Sequence, residues 1–133
     1  MVFLDFAMVG SSVLVVDDVA DLRRIIETAL KHAEYDVQTA GNGERALELC
    51  KHQDPDVILV DIDIPAVSGR PFVTAYRNLP TANARIIVMS GHAAESEARK
   101  MACEFGLSKP FSMDEVIAAV RYFSSSSPAN VSP

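Results

Sequence analysis

Positive charge is in short supply in this sequence of 133 residues, which carries 12 Lys and Arg against 18 Asp and Glu and has a formal net charge of −6. Proteins that bind nucleic acids present clusters of Lys and Arg to the phosphate backbone, and no such cluster occurs along this chain. The composition therefore argues against a nucleic-acid partner. It favours proteins or cations instead.

Cysteine and histidine are also scarce. The two cysteines, Cys50 and Cys103, fall in predicted helices and form no C-x-x-C or Cys/His metal motif. We interpret them as small buried hydrophobic residues of a protein in the reducing cytoplasm. The three histidines are scattered along the chain, so a zinc site has little support.

Hydrophobic runs long enough to span a membrane are missing as well. The opening "MVFLDFAMVG" is apolar, but it is short, includes Asp5 and lacks the basic start of a signal peptide. We expect residues 1–11 to form an N-terminal extension and the protein to have no membrane association. The far end, "SSSSPANVSP", has few core-forming residues, so residues 124–133 are predicted to be a disordered tail. Residues 12–123 then form one domain of ordinary size.

Between these ends, short apolar runs alternate with stretches of helical spacing. The runs are "SVLVVDD", "DVQTA", "PDVILVDI", "ARIIVMS" and "GLS". A helical pattern follows each of them, the fourth being "AESEARKMACEF" and the last "SMDEVIAAVRYF", with Ser112 and Glu115 in capping-box positions. Five strands alternating with five helices predict an α/β fold: a doubly wound five-stranded parallel sheet with helices on both faces.

Polar side chains end four of the five predicted strands, namely Asp17 and Asp18, Asp61, Ser90 and Lys109. The carboxyl ends of parallel strands meet at one edge of a sheet, where ligands bind. Taken singly, each residue has an ordinary explanation, such as a helix cap or a solvated lysine. Together they place three carboxylates in one crevice, and a hard divalent cation is the usual way to hold clustered carboxylates together. The pattern therefore predicts a Mg²⁺ site suited to phosphoryl transfer.

These stretches resemble the receiver domain of bacterial two-component response regulators, over about residues 12–123. The matching motifs are "VLVVDD", "PDVILVDIDIP" followed by "SG", "IIVMSGH" and "KPF". The resemblance implies a flavodoxin-like fold and a cytoplasmic, stand-alone signalling domain rather than a turnover enzyme. Its partners would be a sensor histidine kinase or histidine phosphotransfer protein, and a downstream protein target.

The resemblance also implies a role for each residue at the strand ends. Asp61 would be the phosphoacceptor, with Ser90 and Lys109 contacting the phosphoryl oxygens. Asp18 and Asp61 would bind Mg²⁺ directly together with the backbone carbonyl of Asp63. Asp17 would act mainly through a bound water.

Two further positions of the family pattern concern the lifetime of the phosphoryl group. Asp63 lies two residues after the phosphoacceptor, and His92 lies two residues after Ser90. In the family, these positions flank the path of the hydrolytic water. Each side chain either influences phosphoryl loss or simply faces solvent.

The sequence departs from the family in its switch region, which comprises Gly91, Phe105 and Gly106. An aromatic residue usually stands three positions before the lysine, but this position is Gly106. Phe105 should point to the opposite face of a regular strand. The interval from Ser90 to Lys109 is also shorter than usual. We therefore hypothesise that the signal passes through a reshaped helix-four region.

Two other interpretations compete with this one. "VILVDIDIP" also fits the D-x-D motif of haloacid-dehalogenase-type phosphatases, with Asp61 as nucleophile and Asp63 as general acid. Those enzymes carry an acidic metal pair after the lysine, whereas here only Asp114 and Glu115 follow it. The second alternative is a pseudo-receiver that binds partners without being phosphorylated, which normally lacks an acid or the lysine.

Overall fold

The computed structural model describes residues 11–63 and 69–129, with side chains as far as residue 124. Five strands alternate with five helices in this part of the chain. The strands are β1 (Ser12–Val16), β2 (Asp36–Ala40), β3 (Val57–Asp61), β4 (Arg85–Ser90) and β5 (Phe105–Ser108). The helices are α1 (Ala20–His32), α2 (Gly43–His52), α3 (Gly69–Arg77), α4 (Ala94–Lys100) and α5 (Met113–Ala129).

The strands form one parallel sheet in the order β2-β1-β3-β4-β5. The central strand β3 is buried at all five of its positions, as expected for a parallel strand covered on both faces. The predicted doubly wound fold is confirmed. Because every strand runs in the same direction, all the carboxyl ends lie at one edge of the sheet.

Two hydrophobic layers hold the helices to the sheet, and alternate side chains of β1 supply both. Val13 and Val15 belong to one layer, which includes buried side chains of α1 and α5. Leu14 and Val16 belong to the other, which includes buried side chains of α2 and α3. Burying an aliphatic side chain of this size contributes roughly 1.5–3 kcal/mol, so this strand is fixed from both faces.

The start of α5 has the reciprocal hydrogen bonds that its sequence predicts. The backbone N–H of Ser112 donates to Glu115 Oε1 at 2.8 Å, and the backbone N–H of Glu115 donates to Ser112 Oγ at 3.1 Å. The predicted capping box is therefore present. Both cysteines are free thiols, but only Cys50 is buried within a helix; the prediction was wrong for Cys103, which is partly buried and lies between α4 and β5 because the helix ends at Lys100. Burial raises the pKa of Cys50 to about 12 and that of Cys103 to about 11.

The prediction for the fourth helix was wrong at its C-terminal end. The helical pattern extends to Phe105, but α4 ends at Lys100 and Phe105 begins β5. Ala102 adopts a left-handed conformation with φ of 55°, which cannot continue a right-handed helix. The segment is therefore released to join the sheet, and α4 has only seven residues.

The C-terminal segment also differs from expectation. Helix α5 continues to Ala129, so the prediction of disorder from residue 124 onward was wrong for residues 124–129. An established helix gains a hydrogen bond for each residue it adds, without a new nucleation cost, and polar residues can extend it. Residues 1–10 and 130–133 of the expected extension and tail lie outside the described residues. Within the described part, no helix is long and apolar enough to cross a membrane.

Candidate functional site

The sheet brings the predicted site residues to one edge. Asp17 follows β1, Asp61 ends β3, and Ser90 ends β4. Lys109 directly follows β5, and its backbone N–H donates to the carbonyl of Ser90 at 2.9 Å. In the register of the sheet, Asp61 lies beside Met89, the residue before Ser90. Parallel pairing thus collects side chains that are far apart in the sequence.

Asp61 lies at the centre of the site and is fully buried. Lys109 Nζ donates to Asp61 Oδ2 at 2.5 Å, and the backbone N–H of Asp63 donates to Asp61 Oδ1 at 2.8 Å. Partial burial acts to lower the pKa of Lys109. The hydrogen bond to Asp61 and the charges of the nearby carboxylates outweigh it, so the pKa is raised overall and the ammonium stays charged.

Asp17 is the second fully buried carboxylate. Its Oδ1 accepts a hydrogen bond from the backbone N–H of Val19 at 2.9 Å, whereas Oδ2 is a buried oxygen for which the described residues offer no partner. Burial, helped by the charge of Asp61, raises the pKa of Asp17 to about 6, against the lowering effects of the Val19 hydrogen bond and the charge of Lys109. Asp18, at the same strand end, is exposed.

Asp63 reaches across to the end of β4. Its Oδ1 accepts from Ser90 Oγ at 2.6 Å and its Oδ2 accepts from the backbone N–H of Gly91 at 2.6 Å. Lys109 Nζ lies 3.8 Å from Asp63 Oδ2. Partial burial acts to raise the pKa of Asp63, but the hydrogen bonds from Ser90 and Gly91 and the charge of Lys109 hold it below its ordinary value.

His92 contributes to the site mainly through its backbone. Its N–H donates to Ser90 Oγ at 2.9 Å, and its carbonyl lies 3.0 Å from the same hydroxyl. The Ser90 hydroxyl has only one proton to donate. The Asp63 carboxylate is closer than the His92 carbonyl and is the stronger acceptor, so it receives this proton. The His92 side chain is exposed, close enough for its charge to lower the pKa of Asp63.

Sequence reasoning missed two supporting contacts. Arg23 Nη1 donates to the backbone carbonyl of Asp17 at 2.7 Å. A Cβ at Gly69 would lie 2.5 Å from the backbone carbonyl of Asp61, so only glycine fits there without a backbone shift. The glycine and the strand are both visible in the sequence, but their close approach is not.

The switch region has a clear steric feature. A Cβ at Gly106 would collide with the backbone carbonyl of Ala94 and would lie 2.7 Å from the backbone nitrogen of Glu95. The first turn of α4 therefore occupies the space that a side chain would need. Phe105, on the other face of β5, is 41% exposed and its ring centroid is 5.8 Å from that of Phe123.

The carboxylates at the sheet edge fit a magnesium ion. No cluster of three or more His, Cys, Asp or Glu side chains occurs within metal-binding range in the part of the chain that the structure describes. Mg²⁺, however, binds through one or two carboxylates and keeps several waters. Two buried carboxylates side by side, Asp17 and Asp61, with one oxygen of Asp17 unpartnered, offer a hard cation what it prefers.

Together, the doubly wound sheet, the buried aspartate at the end of the central strand and the lysine beside it define a receiver domain of the two-component signalling type. The chain belongs to the response regulator receiver domain family, whose model matches residues 13–121.

Some similar proteins are about twice as long as the matched region, and others match along almost their whole length. Transcriptional regulatory protein PrrA of Mycobacterium tuberculosis is 32% identical over 89% of this chain and 52% of its own length. Sporulation initiation phosphotransferase F of Bacillus subtilis is 26% identical over 87% of this chain and 95% of its own length. The structure of chemotaxis response regulator CheY4 of Vibrio cholerae has a TM-score of 0.78 and 26% identity, covering 86% of this chain and 98% of that chain. This chain thus spans about half the length of several regulators that it matches.

Proposed function

We propose that this receiver is a phosphoacceptor in which Asp61 takes a phosphoryl group from a phosphohistidine on a partner protein. One observation carries the proposal: Asp61 is fully buried at the carboxyl edge of the sheet and pairs with Lys109 Nζ at 2.5 Å. A buried carboxylate costs free energy unless another group compensates its charge, as the Lys109 ammonium does here. Membership of the receiver family supports the same role.

In the proposed step, a carboxylate oxygen of Asp61 attacks the phosphorus atom of the phosphohistidine. A P–O bond forms and the P–N bond breaks, with its electron pair remaining on the imidazole nitrogen. The donor histidine leaves as neutral imidazole because its other nitrogen keeps its proton. Lys109 would balance the charge of the new phosphoryl group, and the Ser90 hydroxyl and the Gly91 N–H would donate to its oxygens.

The residues proposed to hold Mg²⁺ are Asp17, Asp18 and Asp61, with the backbone carbonyl of Asp63. The ion would supply positive charge against the phosphoryl oxygens when bound. The unpartnered Asp17 Oδ2 supports this assignment. The exposed position of Asp18 leaves its carboxylate open to an incoming ion.

We further propose that the phosphodonor is a histidine kinase or histidine phosphotransfer protein that docks beside α1. Two apolar side chains are exposed there: Val19, next to the site, is 48% exposed, and Ile25 is 52% exposed. The exposed helix also carries the polar residues Asp21 and Arg24, which form an ion pair with 3.5 Å between charged atoms. A mixed apolar and charged surface next to the acceptor suits a transient protein partner.

For the output, we propose a population shift around α4 that a downstream protein reads. The close contact of Gly106 with α4 supports a route other than an inward-turning aromatic residue. Amide hydrogen exchange with and without a phosphoryl mimic tests this route. Unchanged protection over residues 91–108 would contradict it.

The first test of the proposed function is intact mass after incubation with a small-molecule phosphodonor, with and without Mg²⁺. We expect the wild type to gain one phosphoryl group in the presence of Mg²⁺ only, and Asp61→Asn to gain none. Asp36→Asn is the matched control, because Asp36 is exposed and begins β2 at the opposite edge of the sheet. A wild type that stays unmodified with small donors and with phosphorylated kinases would favour the pseudo-receiver alternative.

A further inference from the structure

The Asp63 carboxylate already occupies the donor groups that would bind a phosphoryl group. The proposed function assigns three donors to the phosphoryl oxygens, namely the Ser90 hydroxyl, the Gly91 N–H and the Lys109 ammonium. Two of these donate to the Asp63 carboxylate at 2.6 Å each, and the third lies 3.8 Å from it. Hydrogen bonds of this length to an ionised acceptor are strong.

The carboxylate resembles part of a phosphoryl group in the features that matter for binding. It is an anion with two acceptor oxygens, and each oxygen is held by a different donor of β4 and its following loop. Asp63 can fill this pocket without a distant segment having to move. It lies only two residues from Asp61, and its backbone N–H already donates to Asp61 Oδ1. Both carboxylates are therefore anchored by the same short segment.

We propose that the Asp63 carboxylate is a built-in occupant of the phosphoryl-oxygen pocket in the unphosphorylated receiver. This inference rests on the proposed function of Asp61. Two consequences follow from the occupancy. An incoming phosphoryl group must displace Asp63 from Ser90 and Gly91, so the carboxylate slows acceptance. Ser90 is also drawn into the pocket in advance, so its position changes less on phosphorylation than it would around an empty pocket.

The alternative arrangement has a different geometry. If Asp63 acted only on the hydrolytic water, its carboxylate would face solvent and leave Ser90 and Gly91 free. In the structure, Ser90 is 1% exposed and both oxygens of Asp63 are engaged. The Ser90 hydroxyl could otherwise turn to the carbonyl of His92, which lies 3.0 Å away, so the contact with Asp63 is an exchangeable one.

The test compares the wild type with Asp63→Ala and Asp63→Asn. Asp63→Ala empties the pocket, whereas Asp63→Asn keeps one oxygen acceptor but loses the charge. Charge-assisted hydrogen bonds are worth enough that we expect Asp63→Ala to take up phosphoryl groups from a small donor about tenfold faster and to bind fluoroberyllate about tenfold more tightly. Asp63→Asn should fall between it and the wild type. Asp36→Asn, with the same change of charge far from the pocket, should match the wild type.

A second readout does not depend on phosphorylation. In the free protein, the amide proton of Gly91 donates to a carboxylate, which should place its NMR resonance downfield in the wild type. Asp63→Ala should move this resonance upfield, and saturating fluoroberyllate should return it downfield. Should Asp63→Ala fold poorly, the Gly91 resonance and uptake rate of Asp63→Asn decide the question.

The outcomes separate the two proposals. The proposal that Asp63 is a built-in occupant is overturned if folded Asp63 variants take up phosphoryl groups at the wild-type rate or more slowly. It is also overturned if the Gly91 amide resonance does not shift on substitution of Asp63. Failure of every variant to become phosphorylated, with the Gly91 resonance shifting as expected, overturns the proposed function while leaving the contact in place.

Discussion

The packing of α4 on β5 makes Gly106 a sensitive position, and Gly106→Ala measures it. An added Cβ would lie 2.7 Å from the nitrogen of Glu95 and closer still to the carbonyl of Ala94. Both neighbours are backbone atoms, so no side-chain rotation relieves the clash. The first turn of α4 would have to move away by about 1 Å to restore van der Waals separation from the carbonyl of Ala94.

The expected loss follows from the cost of overpacking. Inserting a methyl group into a tight contact costs about 1–3 kcal/mol, against which Gly→Ala returns about 0.4–1 kcal/mol through the unfolded chain. We therefore expect Gly106→Ala to lower the free energy of unfolding by about 1–2 kcal/mol. In a thermal melt this corresponds to a decrease in Tm of about 4–8 °C.

Urea denaturation followed by circular dichroism is the assay, with Gly41→Ala as the matched control. A Cβ at Gly41 would meet only the end of the Arg23 side chain, at 3.3 Å, and that side chain can move. The control should therefore equal or slightly exceed the wild type in stability. If Gly106→Ala proves as stable as Gly41→Ala, α4 yields without cost and the steric account of the missing aromatic residue is wrong.

Three more outcomes are expected. Asp17→Asn removes a buried carboxylate beside Asp61, so it should raise the stability of the Mg²⁺-free protein by about 1 kcal/mol. The increase in Tm that Mg²⁺ gives the wild type should be lost in this variant, and an unchanged increase would exclude Asp17 from the metal site. Tyr76→Phe should cost about 2 kcal/mol in urea denaturation, because the hydroxyl donates to Asp54 at 2.6 Å and accepts from the backbone N–H groups of residues 83 and 84; a neutral effect would mean that water replaces these bonds. The Cys50 thiol, with its pKa raised by burial to about 12, should resist alkylation at pH 8 until the protein unfolds, and rapid labelling of the folded protein would contradict the burial.

Much of the fold was predictable because its signals are local. Apolar runs, helical spacing and the Ser112–Glu115 capping box each lie within a few residues, and they predict the doubly wound sheet that the structure has. The error at the fourth helix came where local preference competed with tertiary packing. The helical pattern at residues 94–105 continues past Lys100, but β4 offers an open edge that Phe105 joins, and the strand pairing prevails.

The convergence of the site residues was also predictable, because parallel strands that end in polar residues must bring them to one edge. The sequence by itself determined that Asp17, Asp61, Ser90 and Lys109 meet. Only the tertiary structure decided how they meet. Asp63 reaches Ser90 and Gly91 across 27 and 28 positions of sequence, and the backbone of α4 closes over Gly106. Such contacts depend on distances of a few tenths of an ångström between separate elements, and close packing sets those distances only once the whole domain is folded.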